Sequence, residues 1–443
     1  MISPLDSRYS DKLANINNII SEDKKILTYI NIEICYLEHF LLNYLKKELT
    51  KDEKAAFSLI KENIRNNKEE KDKIIDFFKK QESVTKHEIK SIEYTASYIL
   101  SQYNLQNFAR FLHFGLTSQD LNILYYNICA IELNNNIIKE LFVMESSFSS
   151  IDLNAKLPSY THGKIAIPIT VNEYFSTYKE RIKNQIDQLK NGKIKFGGAV
   201  NNLFSLKLID SKFDWNYFFL SFVNRYVREN TNFRNNFERY SSYELTSQID
   251  YYSSIRDNME KFKRIAIILE DMCKNIWISI HNGDFLIAVD KEQVGSSTMS
   301  HKVNPIKFEN AEGNLKISKA LFDVFINELE ISRLQRDLSD STIMRNIAVP
   351  YAHLSLAIQN ISSGIRELYV NKDSKKLDNN YQVYSEFIQL YLKIKGVDNS
   401  YELTKEIFRN NDSFNKEKMY SIISDLKLKE SIRLSLAKKI GLI

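Results

Sequence analysis

Residues 295–305 read Gly-Ser-Ser-Thr-Met-Ser-His-Lys-Val-Asn-Pro. Two adjacent hydroxyls at Ser296 and Ser297, the imidazole of His301, the ammonium of Lys302 and the carboxamide of Asn304 fall between a glycine and a proline that disfavour regular structure. Groups of these kinds can move a proton and steady a developing negative charge. With 11 Gly and 5 Pro in 443 residues, breakers are too scarce for such a loop to be idle connection.

Other polar segments invite the same question. His162, in Ser159-Tyr160-Thr161-His162-Gly163-Lys164, lies in a turn stiffened by Pro158 and Pro168, and an imidazole held there suits proton transfer near neutral pH. Taken alone, a lone histidine is more often a satisfied surface residue. Thr117 and Ser118 precede a helical pattern; they serve as caps in any case, and with free helix amides they can also hold an anion. Lys86, His87 and Glu88 begin like a zinc-protease motif, but Ser91 occupies the place of its second histidine, so that reading fails. An exposed charged turn explains them equally well.

Residues 332–345 carry Arg333, Arg336 and Arg345 among Ser341 and Thr342, with Arg333 and Arg336 at same-face helical spacing. Charge runs are usually solvated faces, yet guanidinium forks beside hydroxyls also suit phosphate or carboxylate. Arg8 and Tyr9 form a smaller case of the same kind. His39, His281 and His353 sit in helical patterns without such company and read as structural.

The elements that must position these groups are helices. Apolar residues recur at helical spacing nearly everywhere, and no alternating strand pattern persists. A row from Val171 through Phe175, Tyr178, Ile182, Ile186 and Leu189 marks one face of a five-turn helix, with Thr170 and Glu173 at capping-box spacing. Further long patterns run from Leu121 to Leu141, over 250–280 and over 310–334. Four long helices predict an all-α bundle. The partition expected is a small helical domain over 1–106, a long-helix domain over 107–360 holding the 295–305 loop, and a helical tail domain over 361–443.

Composition sets the bounds. Sixty-one basic against 56 acidic residues leave a net charge of +5, without a basic block or basic-aromatic stripe, which disfavours nucleic acid as partner. Cys35, Cys129 and Cys273 are far apart and form no CxxC pair, so neither a disulfide framework nor a zinc site is expected. Residues 1–12 lack the apolar stretch of a signal peptide and no apolar run reaches membrane-spanning length, so a cytoplasmic location is expected.

Taken together, the motifs resemble the fumarase/aspartase superfamily and, within it, the bacterial-type adenylosuccinate lyase family. The 295–305 segment is similar to that superfamily's mobile signature loop. The segments at Thr117, Thr161 and 332–345 match in order and spacing; those at Arg8 and His87 favour this branch. The resemblance implies three helical domains, a twenty-helix core in a homotetramer, active sites assembled from three subunits, small nucleotide substrates, and neither metal nor organic cofactor. It implies β-elimination of fumarate with Ser296 as base and His162 as acid, Lys302 and Asn304 stabilising charge, and Glu309 paired with the histidine.

For binding it assigns Thr117, Ser118, Gln248 and Asn310 to the succinyl and purine region. Arg8, Tyr9, Arg336, Ser341 and Arg345 are assigned to the phosphate and its surroundings, with Lys86, His87, Glu88, Thr342 and Met344 beside the substrate. Ser300 stands where the family usually has proline, Lys86 and Glu88 replace Asn and Asp, and Asn201 replaces a glycine. The lysine and glutamate keep the charge balance only by pairing with each other. Two other readings remain open: a different fumarate-releasing lyase of the superfamily, such as argininosuccinate lyase or fumarase, and a non-catalytic helical assembly protein. Packing alone has no use for His162, Ser296, Lys302 and Glu309 together.

Overall fold

The computed structural model describes residues 3–190, 192–231, 240–242, 246–288, 303–409 and 414–443. The chain is all-α with a few short strand pairs. The helices are α1 (Ala14–Ile20), α2 (Glu22–Asn43), α3 (Lys51–Asn66), α4 (Lys68–Thr85), α5 (Glu88–Gln102) and α6 (Ser118–Ser147). There follow α7 (Val171–Ile186), α8 (Phe204–Ile209), α9 (Trp215–Asn230), α10 (Ser253–His281) and α11 (Ile306–Glu328). The rest are α12 (Ser339–Met344), α13 (Ala348–Ile365), α14 (Ser385–Ile394), α15 (Ser400–Arg409), α16 (Lys416–Asp425) and α17 (Glu430–Lys439).

Local chemistry explains several boundaries. α3 opens on a reciprocal capping box in which Thr50 N–H donates to Glu53 and Glu53 N–H donates to the Thr50 hydroxyl. α7 opens the same way, with Thr170 N donating to Glu173 Oε2 at 2.7 Å and Glu173 N donating to Thr170 Oγ1 at 3.1 Å. That helix ends at Ile186, short of the Leu189 expected. The pattern expected to run to 334 leaves the helix at Glu328, so Arg333 and Arg336 lie in a turn rather than on one helical face.

Contacts divide the chain into two compact units. The first comprises 1–142, 182–270 and 311–359, the second 143–181, 271–310 and 360–443. The first is built on an aromatic core in which the wholly buried Tyr36 meets Phe222 edge to face, 5.3 Å between centroids, and stacks parallel to Phe219. Two hydroxyl donors cross-link its long helices: Tyr351 donates to the Asn134 amide oxygen, and Ser355 to the Glu140 carboxylate. β3 (Lys193–Ile194) pairs in parallel with β4 (Ser241–Ser242).

In the second unit β1 (Lys156–Thr161) and β2 (Lys164–Thr170) form an antiparallel hairpin where only a turn was expected. Its register is irregular between Pro158 and Tyr160, and Pro158 stands opposite Pro168. Neither proline has an N–H to give the ladder, which breaks there. β5 (Phe285–Ile287) pairs with β6 (Leu368–Val370). The tail helices close over Ile388, Leu392, Phe414, Met419, Ile423 and Leu436.

Candidate active site

His162 occupies the tip of the β1–β2 hairpin. Thr161 and Lys164 pair, leaving His162 and Gly163 as a two-residue loop with φ of +51° and +74°. Positive φ at both central positions is the signature of the type I′ turn that suits the twist of a hairpin. The imidazole is exposed, standing off the end of two strands. Two residues back, the Tyr160 hydroxyl donates to Asp284 Oδ2 at 3.0 Å, and Lys376 donates to both Tyr160 (3.2 Å) and Asp284 (2.9 Å). The hairpin tip is therefore tied down by groups 124 and 216 residues away.

The same unit carries Asn304, Glu309 and Asn310. Glu309 lies in the first turn of α11 and accepts from the Trp277 indole at 3.1 Å. Asn310 accepts from Asn360 at 2.9 Å, and the Asn304 carbonyl accepts from Ile306 N–H. Ser296, Ser300, His301 and Lys302 lie outside the described residues.

In the first unit, Thr117 immediately precedes α6. Its hydroxyl does not cap the helix by accepting an amide; it donates to Asp120 Oδ2 at 2.9 Å, as its backbone N–H does at 2.7 Å. Asp120 is wholly buried and also accepts from Lys195 Nζ (2.6 Å), Gly197 N (2.8 Å) and Gly198 N (3.2 Å). One carboxylate thus locks the Thr117 turn to the 195–198 segment. Gly197 takes φ +135°, and a Cβ there would meet Leu203 and Phe219 at 2.9 Å, so only glycine fits. Asn201, expected to stand in place of a glycine, adopts φ +54°, the left-handed region asparagine tolerates.

On the other side of the same turn stands His113. Its N–H donates to Glu33 at 3.0 Å and its Nδ1 lies 2.5 Å from the other oxygen of that carboxylate, which is fully buried. Burial pulls the imidazole down, but the hydrogen bond and charge of Glu33 win and hold its pKa above the usual histidine value. Tyr36 fastens the adjacent Phe114 carbonyl at 2.7 Å.

A second network joins the start of α6 to the arginine segment. Arg336 Nη1 donates to Asp340 Oδ1 at 2.6 Å and its Nη2 to Ser341 at 3.3 Å. Asp340 Oδ2 accepts from Tyr252 (3.1 Å) and Gln119 (3.3 Å), and Gln119 also donates to Tyr252 at 2.6 Å. Gln248 is bound into the same neighbourhood through its N–H to the Gln335 carbonyl. Tyr251 and Tyr252 both take positive φ, +56° and +48°, a strain that persists because Asp250 accepts the Tyr252 N–H at 2.8 Å. Burial raises the Asp250 carboxyl to about 6.

Of the expected substrate residues, Thr117, Ser118, Gln248, Arg336 and Ser341 belong to these linked networks or adjoin them. Thr342 and Arg345 are exposed on and beside α12, whereas the Met344 side chain is wholly buried and belongs to the core. His87 is exposed and caps α5 through Nδ1, which accepts Lys90 N–H at 3.2 Å. Glu88 pairs with Lys25, not with Lys86, so the compensation expected within that motif is supplied by α2. Lys86 is the left-handed C-cap of α4. Arg8 lies 5.8 Å from the Tyr9 ring. Sequence reasoning missed Asp120, His113, Tyr252 and Lys195; the run 113–120, broken by Gly115, was the signal available for the first two.

Solved structures share the fold. A fumarate lyase from Mesorhizobium sp. BNC1 aligns with a TM-score of 0.66 at 12% identity, over 97% of both chains. The 3-carboxy-cis,cis-muconate lactonizing enzyme of Pseudomonas putida aligns with a TM-score of 0.63 at 13% identity, over 96% of both. Residues 8–319 match the family described as "Lyase", and residues 332–440 the family described as "Adenylosuccinate lyase C-terminal". Adenylosuccinate lyase of Dictyostelium discoideum is 34% identical, covering 98% of this chain and 93% of its own. Those of Legionella pneumophila (strain Corby; 33%, 99% and 94%) and Escherichia coli (strain K12; 30%, 97% and 92%) are similar. The chain belongs to the adenylosuccinate lyase family.

Proposed function

We propose that this chain is a carbon–nitrogen lyase that eliminates fumarate from adenylosuccinate to leave AMP. The same reaction on succinylaminoimidazole-carboxamide ribotide leaves aminoimidazole-carboxamide ribotide. The observation that carries the reading is the reach of the kinship, 34% identity over 98% of the chain. Ser296 takes the proton from the carbon β to the nitrogen, the electron pair forms the new double bond, and the C–N bond breaks as His162 protonates the departing nitrogen. Lys302 and Asn304 stabilise the carboxylate dianion that develops, and Glu309 is assigned to pair with His162. The exposed turn that presents His162 supports its part.

Thr117, Ser118, Gln248 and Asn310 are assigned to the succinyl and purine moieties, with Arg8, Tyr9, Arg336, Ser341 and Arg345 around the phosphate. The working assembly is a homotetramer. Exposed apolar side chains on α10 (Ile267, Trp277, Ile278) and α11 (Ile306, Ile317, Val324) support burial against further copies. Three buried, unbridged cysteines suit a reducing cytoplasm, and among the described residues no helix is long and apolar enough to cross a membrane.

The test is direct. Purified protein is incubated with adenylosuccinate, the ribotide and argininosuccinate in parallel, and fumarate is measured. Release from the first two supports the reading. Turnover of argininosuccinate alone, or of nothing, sinks it.

A further inference from the structure

Arg336 is a long, flexible side chain offered to a phosphate, and its aim has to come from something. We infer that Asp340 is a positioning residue whose buried carboxylate orients Arg336 toward the substrate's 5′-phosphate; this rests on the function and on the Arg336 assignment proposed above.

The geometry supports that role. Asp340 is 3% exposed and accepts one guanidinium nitrogen at 2.6 Å, while the other end nitrogen reaches Ser341, itself assigned to the phosphate region. Gripping one edge of a planar guanidinium fixes the plane and presents the remaining donors in one direction. The carboxylate is in turn fixed, because its second oxygen accepts both the Tyr252 hydroxyl and the Gln119 amide, each on a wholly buried side chain. Gln119 and Tyr252 are bonded to each other, and Gln119 follows Ser118 at the start of α6. The support behind Arg336 thus reaches the segment assigned to the other end of the substrate.

Charge and positioning predict opposite outcomes at this residue. Removing a negative charge beside Arg336 strengthens the local positive field and, by Coulomb's law alone, tightens an anion. Asparagine, however, has one acceptor oxygen for the three donors that Asp340 serves. The guanidinium then loses its fixed edge, and phosphate recognition weakens although the net charge favours it.

The readout is the preference for phosphate: kcat/KM for adenylosuccinate divided by kcat/KM for succinyladenosine, which lacks the 5′-phosphate. In Asp340→Asn this ratio is expected to fall by about 10- to 100-fold, the range of one charge-assisted hydrogen bond. Arg336→Gln lowers it likewise, and the double variant falls no further than Arg336→Gln alone. A purely structural lesion lowers both rates and leaves the ratio standing, which overturns the inference; so does a ratio that rises. A ratio that Arg336→Gln does not move refutes the phosphate assignment, and a wild-type protein without turnover refutes the function. Should Asp340→Asn not fold, Tyr252→Phe removes one donor from the same carboxylate and is expected to shift the ratio the same way. A ratio unmoved there overturns the proposal.

Discussion

Asp120 and Lys195 meet at 2.6 Å with neither side chain exposed, 75 residues apart in sequence. The carboxylate also accepts four further donors, three backbone N–H groups and the Thr117 hydroxyl, so the pair joins the turn before α6 to the glycine-rich segment beside it. Taking two charges out of water is costly, and such a pair adds little net stability; removing one partner is a different matter, because the other is left charged and buried. Lys195→Met is therefore expected to cost about 3–5 kcal/mol. Chemical denaturation of the assembled protein measures it. A loss under 1 kcal/mol means that water reaches Asp120.

His39 predicts an acid-sensitive window. Its Nδ1 accepts from Asn43 at 3.0 Å and its Nε2 faces the Phe218 carbonyl at 3.2 Å, so both ring nitrogens are used by the neutral form. Burial, with Arg225 nearby, pushes its pKa down to about 4. A histidine with a depressed folded-state pKa contributes its full stability above the unfolded value, about 6.5. That contribution is lost as pH falls from about 6.5 toward 4, where the unfolded chain takes up a proton the folded chain refuses. The loss reaches about 3 kcal/mol on the scale of 1.36 kcal/mol per pKa unit. Unfolding free energies of wild type and His39→Gln at pH 7 and pH 4.5 test it: the variant is expected to lose less on acidification.

The α-helices were legible because their apolar faces and caps are local. Thr170 and Glu173 announced α7 from three positions apart, and the structure closes that box. The hairpin carrying His162 was not legible. β1 buries only Leu157 fully, so the alternation that marks a half-buried strand never appears. Arg333 and Arg336 carried a helical spacing in a segment where the helix had already ended. The links from Asp340 to Tyr252 and Gln119 span 88 and 221 residues, which no local pattern encodes. Motif resemblance proposed residues for the chemistry; packing shows the groups that hold Thr117 and Arg336.

Gly163 offers a clean test of the hairpin. It takes φ +74°, and a Cβ there would touch nothing within 4 Å, so substitution meets backbone strain alone. Gly163→Ala is expected to cost about 1 kcal/mol, the left-handed penalty of an ordinary residue. Most of that strain falls on the two-residue turn that aims His162. We expect kcat to drop with KM little changed, and Gly163→Asn to recover much of the loss, since asparagine tolerates this conformation. Equal activity in all three proteins separates the turn from catalysis.

The resemblance implies active sites shared between subunits, which mixing tests. If Ser296 and His162 of neighbouring copies flank the same scissile bond, Ser296→Ala and His162→Ala tetramers are each nearly inactive, because each site lacks its base or its acid. Mild denaturation and joint refolding produce hybrid tetramers in which some sites receive an intact serine from one parent and an intact histidine from the other. Fumarate release from adenylosuccinate is then expected to return in the mixture while each variant refolded alone stays inactive. If both groups came from one chain, every chain would lack one of them and no mixture could restore turnover. A mixture as inactive as its parents, with hybrid tetramers shown by size and differential tagging, excludes the shared site.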